Sequence, residues 1–249
     1  MIELHFLFGL LGLLTGGLVN ALADDLPARV SPQRPHCPRC HHHYRVMNWL
    51  AVVRWVRQYR CPQCGLGVRR RPLLVELAMT LLFAILPALF TPLGDMVIYA
   101  LYVAVLVLII VIDIEHRLVL HVVTLPTIAL ALPAAYFLTD HTIRLALAGA
   151  AAGFLFFFAA YWLGQRLFGP GALGFGDVTL ATTMGAMLGL QRVLFALTLG
   201  ILLAGLWSIV GLLTRRMNRR SYFAYGPFLA AAGILMLLWG NAILERYVP

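Results

Sequence analysis

Apolar runs recur at residues 5–22, 73–91, 95–112, 119–138, 144–163, 178–190, 192–213 and 226–244, separated by short polar breaks and one long polar stretch at 23–72. A helix of about 20 apolar residues crosses the ~30 Å hydrocarbon core of a bilayer. The pattern therefore predicts an all-α polytopic membrane protein of about eight transmembrane helices, with a small insert between helices 1 and 2. The expected organisation is a first transmembrane helix at 1–22, an insert at 23–72 and a seven-helix membrane domain at 73–249. The sixth run is the weakest. It is short, contains glycine and is broken from the seventh only by Gln191-Arg192, as in a tilted or partial span.

Composition sharpens this picture. Of 249 residues 61% are hydrophobic and 12% charged, whereas soluble domains carry roughly half and a quarter, so a soluble enzyme is excluded. All 19 basic residues are Arg, giving a formal charge of +9. In a membrane chain that excess marks the cytoplasmic side rather than a nucleic-acid partner. With the amino terminus outside, sixteen arginines fall in cytoplasmic loops, including ten in the insert and the quartet Arg215, Arg216, Arg219 and Arg220. Only Arg144, Arg192 and Arg246 fall outside, which places both termini outside. Ala21-Leu22-Ala23 resembles a signal-cleavage site, but Met1-Ile2-Glu3 is acidic and the arginines follow the apolar run, so a retained helix is expected.

The insert carries Cys37-Pro-Arg-Cys40 and Cys61-Pro-Gln-Cys64. Each C-x-x-C turn can present two thiolates, and two such turns complete a tetrahedral site of the zinc-ribbon kind with no open position for substrate. A structural zinc on Cys37, Cys40, Cys61 and Cys64 is the expectation. About 50 residues bury little core, and a cytosolic metal would supply the missing folding energy. His41, His42 and His43 lie beside the first pair and read as exposed loop residues, with replacement of a ligand as the alternative. Trp49, Val52, Val53, Trp55 and Val56 read as a packed face of the insert or as a strip lying on the bilayer.

Acids at membrane depth are costly, so each is a candidate site. Asp113 ends the third apolar run, Asp177 opens the sixth within Gly174-Phe175-Gly176-Asp177, and Glu76 lies about one turn inside the second. Two carboxylates from different helices suit an aspartic protease, whose pair shares one proton and acts jointly as acid and base. Gly174 and Gly176 would give the site close-approaching backbone and torsions closed to other residues. Taken singly, Asp177 could instead be a helix cap, Asp113 a partner of Arg117 and Glu76 a partner of the Arg69–Arg71 run.

At this point the chain resembles the type IV prepilin peptidases, also called prepilin leader peptidase/N-methyltransferases, membrane aspartic proteases of the Gly-x-Gly-Asp type. Gly16-Gly17-Leu-Val-Asn20 with Leu26-Pro27 looks like the family's "GSFLNV…RLP", the double C-x-x-C with Asn48 between the pairs its zinc domain, and Arg71-Pro-Leu-Leu-Val-Glu76 its "RYPxVE". Asp113-Ile-Glu-His-Arg-Leu resembles "D-x-[DE]-H-x-L", Gly174-Phe-Gly-Asp177 the second catalytic motif, and Tyr225-Gly-Pro-Phe-Leu-Ala230 "FGPFLA". Two departures stand out. Leu120-His121 replaces the usual Pro-Asp, and Gly171 lies one residue further from Gly174 than the family spacing.

The resemblance implies cleavage of the basic leader of type IV prepilins or type II secretion pseudopilins after a glycine, on the cytoplasmic side of a bacterial inner membrane. Methylation of the new amino terminus with S-adenosylmethionine would follow. Asp113 and Asp177 would be catalytic, Gly174 and Gly176 would supply active-site backbone, and Glu76 and Glu115 are candidates for substrate or methylation chemistry. The expected partners are these substrates and membrane lipid, with no nucleic acid. A peptidase without methyltransferase activity is the near alternative. A proton-coupled transporter is the alternative from another class, although its acids would lie nearer the midplane.

Overall fold

The computed structural model describes residues 2–169, 173–214 and 225–247. All eight predicted apolar segments are helical: α1 (Ile2–Asp25), α3 (Arg70–Leu89), α4 (Leu93–His116), α5 (His121–Ala134), α6 (Ile143–Phe168), α7 (Phe175–Leu188), α8 (Leu190–Leu213) and α9 (Gly226–Tyr247). The insert adds the short α2 (Ala51–Val56). Six of these helices are long and apolar enough to cross a membrane, which makes the chain a multi-pass membrane protein. The helices α5 and α7, with 14 residues each, rise only about 21 Å and fall short of a ~30 Å core. The arginine quartet and Gly171 lie outside the described residues.

The chain divides into two compact units, Met1–Met96 and Val97–Pro249. In the first, α1 packs along α3 through Gly9, Gly12 and Gly16. A Cβ at Gly16 would lie 2.9 Å from the Glu76 backbone, so only glycine admits this approach. The Cys-bearing segment folds over the same helices, with α2 against α3. Its core is Cys37, Tyr44 and Cys61, flanked by Cys40, Tyr59, Cys64 and Leu66. The residues expected as a packed face are not that core, for Trp55 and Val56 are largely exposed.

In the second unit α7 is the hub, packed against α5, α6, α8 and α9. Val178 to Leu188 is buried at every position except Thr182, as a helix apolar on all sides requires. Its Ala181-x-x-x-Gly185 stripe meets Gly149-x-x-x-Gly153 of α6 at backbone contact, where an added Cβ on any of these glycines would strike the opposing main chain. Burial on all faces explains why the sixth apolar run looked weak: its neighbours are helices, and it has no lipid-facing length to fill.

Two polar layers mark the two ends of α4, about 21 Å apart along its axis between Tyr99 and Asp113. At the Tyr99 end, Arg192 of α8 donates to Asp140 at 2.7 Å and to Tyr99 Oη at 3.2 Å. Asn241 of α9 joins both the arginine and Asp140, and the Tyr99 hydroxyl donates to the same carboxylate. Asp113 and Asp177 belong to the other end.

Candidate functional site

Asp113 lies on the last turn of α4 and is only 4% exposed. Its carboxylate accepts the backbone N–H of Gly226, the first residue of α9. The approach is close: a Cβ at Gly226 would stand 2.5 Å from Asp113 Oδ2 and 3.5 Å from Leu180 Cδ2. A glycine in Tyr225-Gly-Pro-Phe is thus a requirement of the site rather than of the helix. The role of Gly226 was invisible in sequence, where it was one residue of a matching motif.

Asp177 is the third residue of α7, behind Gly174 at the N-cap. Its carboxylate accepts the backbone N–H of Gly174, the reach-back of a capping box. Asp113 and Leu180, one turn on from Asp177, both border the Cβ position of Gly226, so the turns that carry the two acids, 64 residues apart in sequence, pack at the same end of α9. Tyr225, just before α9, sets its ring against Phe157 of α6. The glycines serve differently from expectation. Gly174 has φ −77° and ψ 140°, open to any residue, and neither it nor Gly176 has positive φ. Gly176 is needed for space, because a Cβ there would lie 2.8 Å from Val119 Cβ.

That contact brings the loop after α4 onto the start of α7. Arg117 turns out of α4 in the left-handed region (φ 55°), and α5 then starts at His121. His121 is exposed, and its ring is edge-on to Phe175, which is edge-on to Tyr161 of α6. Glu115 is exposed near the end of α4.

Glu76 belongs to the other unit. Buried on α3, it accepts the backbone N–H of Ala51 at 2.7 Å and of Val52 at 2.8 Å, so one carboxylate serves both leading donors of α2. Arg71 instead pairs with Asp24 at 2.6 Å.

The four cysteines converge. Their sulfurs lie within 4.8 Å of one another, with Cys37–Cys64 and Cys40–Cys61 each at 3.5 Å. A tetrahedral ion with metal–sulfur bonds of about 2.3 Å has sulfur–sulfur edges of about 3.8 Å, so the donor set fits a metal site of four thiolates. The two turns are near copies. Cys37 O accepts from His41 N and Cys61 O from Gly65 N, and His41 (φ 56°) and Gly65 (φ 68°) both adopt the left-handed conformation. His41 therefore occupies a turn position and stacks on His36 at 5.2 Å. Burial acts to raise the Cys37 thiol, but the N–H groups of Arg39 and Cys40 outweigh it and hold it at about 6. At Cys40 the His42 N–H acts downward, yet burial and the neighbouring thiols push it to about 12. A bound cation would favour ionisation of all four thiols.

Beside this module, Asn20, Asp24, Tyr44, Trp49, Arg54 and Arg71 line a small cleft of about 40 Å³. Asn20 donates to Pro72 O at 3.0 Å, while its buried Oδ1 has no partner among the described residues.

Comparison with known proteins agrees with this architecture. Residues 100–209 match the type IV leader peptidase family, and residues 10–90 match the bacterial peptidase A24 N-terminal domain. The interval between the matches contains the boundary between the two compact units. The chain is 31% identical over 228 residues to a prepilin leader peptidase/N-methyltransferase of Aeromonas salmonicida, spanning 90% of this chain and 78% of that protein. It is 28% identical over 265 residues to the protein of that name from Pseudomonas aeruginosa, spanning 96% and 91%. The Burkholderia pseudomallei protein of the same name is 31% identical over 221 residues, spanning 88% and 72%. No solved structure matches the chain.

Proposed function

The chain belongs to the type IV leader peptidase family, and on that premise we propose that it is a membrane aspartic endopeptidase with Asp113 and Asp177 as its catalytic pair. Its substrates are type IV prepilins or type II secretion pseudopilins, cut after the glycine that ends a basic leader. The observation that supports the assignment is the place of Gly226 at the start of α9, against Asp113 of α4 and against Leu180 of α7, one turn on from Asp177.

Two carboxylates in a poorly hydrated site share one proton, because ionising both is costly. The ionised member takes a proton from water as its oxygen attacks the scissile carbonyl carbon, and the protonated member donates to the carbonyl oxygen. Collapse of the tetrahedral intermediate breaks the C–N bond: the leaving amine takes the proton that the first carboxylate removed from water, and a hydroxyl of the intermediate returns a proton to the second. The Gly226 N–H fixes one oxygen of Asp113, leaving the other for the reaction, while Gly174 and Gly176 shape the backbone around Asp177. Glu115, exposed beyond Asp113, suits a basic leader. Membership of this family leaves the transporter alternative without support.

On topology, the arginine distribution supports a bacterial inner-membrane protein with both termini outside and the cysteine module and aspartates cytoplasmic. The module at 23–72 would hold a structural zinc through Cys37, Cys40, Cys61 and Cys64. Glu76, spent on the α2 donors, holds that module to α3 and is unsuited to chemistry of its own.

S-adenosylmethionine would supply the methyl group for the new amino terminus. The cleft beside the module encloses only about 40 Å³, well short of the ~300–1,000 Å³ usual for such ligands, so it does not hold the cofactor as it stands. Its groups are largely engaged with one another, for Arg54 stacks on Tyr44 and Arg71 pairs with Asp24, while Asn20 Oδ1 has no partner among the described residues.

The test is cleavage of a prepilin by the purified full chain in detergent. Wild type should cleave, and Asp113→Asn and Asp177→Asn should each abolish cleavage. Unchanged cleavage in either variant removes the catalytic assignment.

A further inference from the structure

His121 is where the sequence departs from the family's Leu-Pro-Asp, and it sits beside the first turn of α7. Thr179 Oγ1 lies 2.9 Å from Gly176 O and 3.4 Å from His121 Nδ1. A threonine hydroxyl has one proton, and a carbonyl oxygen can only accept. The shorter contact therefore takes the hydroxyl proton, and the Thr179 oxygen accepts from Nδ1–H of His121. In the neutral ring this leaves Nε2 as the nitrogen with the free lone pair. Ring direction is fixed twice over, by this hydrogen bond and by the edge-on contact with Phe175 (5.9 Å, 88°). The imidazole is nevertheless exposed. Phe175 and Thr179 lie one turn apart on α7 with Asp177 between them in sequence but about 200° round the helix, so a peptide running from Asp177 across the start of α7 would meet an oriented acceptor with one nitrogen already engaged.

We propose that His121 is a substrate-binding residue whose Nε2 accepts a hydrogen bond from a peptide N–H of the extended segment lying across Asp113 and Asp177, with Thr179 as the residue that sets its tautomer. This rests on the peptidase reading and adds a residue to it. An extended peptide is the fitting ligand, because its main chain carries a donor at every residue whatever the side chain and leader sequence. The contact holds ground state and transition state alike, so its loss raises KM and spares kcat.

The experiment uses the purified full chain in detergent with prepilin peptides, one series carrying a single backbone N-methyl group at successive positions around the cleavage site. His121→Phe keeps the ring contact with Phe175 and removes the acceptor. It should raise KM roughly three- to tenfold, the worth of one hydrogen bond, with kcat within about twofold. His121→Gln should recover most of the loss, and Thr179→Val should reproduce part of it. On wild type, N-methylation at one position should raise KM by a similar factor, and His121→Phe should be insensitive at that position. Unchanged KM in His121→Phe, or N-methyl effects that add fully to that substitution at every position, overturns the proposal while the peptidase reading stands. Failure of wild type to cleave any prepilin overturns the peptidase reading itself, and this proposal with it. The N-methyl series on wild type does not depend on any variant folding.

Discussion

Arg192 and Asp140 form an ion pair at 2.7 Å that closes the end of the second unit remote from the two aspartates. Arg192 is 5% exposed, and its guanidinium also reaches Tyr99 and Asn241, so one side chain ties α4, α8, α9 and the loop between α5 and α6. Burial acts to raise the Asp140 acid, and the Arg192 charge overrides it and keeps the carboxyl below its usual range.

Breaking this pair from the arginine side should be costly. Arg192→Leu leaves a partly buried carboxylate without its cation, and removing one member of such a pair costs about 3–5 kcal/mol. Denaturation of the purified protein in detergent should show a loss of that order. Asp140→Asn, which keeps a hydrogen-bonding group, should lose less, and equal stability of both variants with wild type would refute the clamp.

The neighbouring His141 predicts a pH dependence. It is 5% exposed, and neither ring nitrogen has a partner among the described residues. Burial holds its pKa below the ordinary value of about 6.5. The unfolded chain therefore takes up a proton that the folded chain refuses as pH falls below about 6.5, and stability drops on acidification. The thermal midpoint should fall between pH 8 and pH 5.5, and His141→Phe should flatten that slope. A slope unchanged by the substitution would assign the effect elsewhere.

At the aspartates, Gly226→Ala is the discriminating substitution. Alanine is a better helix former than glycine, so helix content by circular dichroism should hold. The new methyl group nevertheless meets Asp113 Oδ2 at 2.5 Å. Displacing a reacting carboxyl by even 1 Å can cost about a hundredfold in rate, and a loss of that size in prepilin cleavage is expected. Full activity would mean that Asp113 is not held as described.

For the cysteine module, Glu76→Ala removes the acceptor of both leading N–H groups of α2. Each buried donor left unpaired costs about 1–3 kcal/mol. With the proposed zinc bound, a chelator should then strip it from this variant faster than from wild type, with Glu76→Gln in between. Identical release rates would uncouple Glu76 from the module.

Much of this protein was legible along the chain because the relevant physics is local. Hydropathy over about 20 residues located all eight apolar helices, and two C-x-x-C turns brought four sulfurs together because each turn sets its own pair. Asp113 and Asp177 stood out as acids at the ends of apolar runs, where charge is costly.

Tertiary structure decided the rest, because it turns on contacts between residues far apart in sequence. Lengths near 14 residues did not say that α7 is a buried hub, which follows from glycine stripes on two helices meeting at backbone distance. Glu76 looked like a partner for nearby arginines, but helix packing directed it to α2, 24 residues away. Gly226 is 113 residues from Asp113, and Arg192 is 52 from Asp140. Sequence determined which helices form and which residue types are available for chemistry. Packing determined which of them meet, because a hydrogen bond or a missing Cβ acts only over a few ångströms, a distance that position along the chain does not encode.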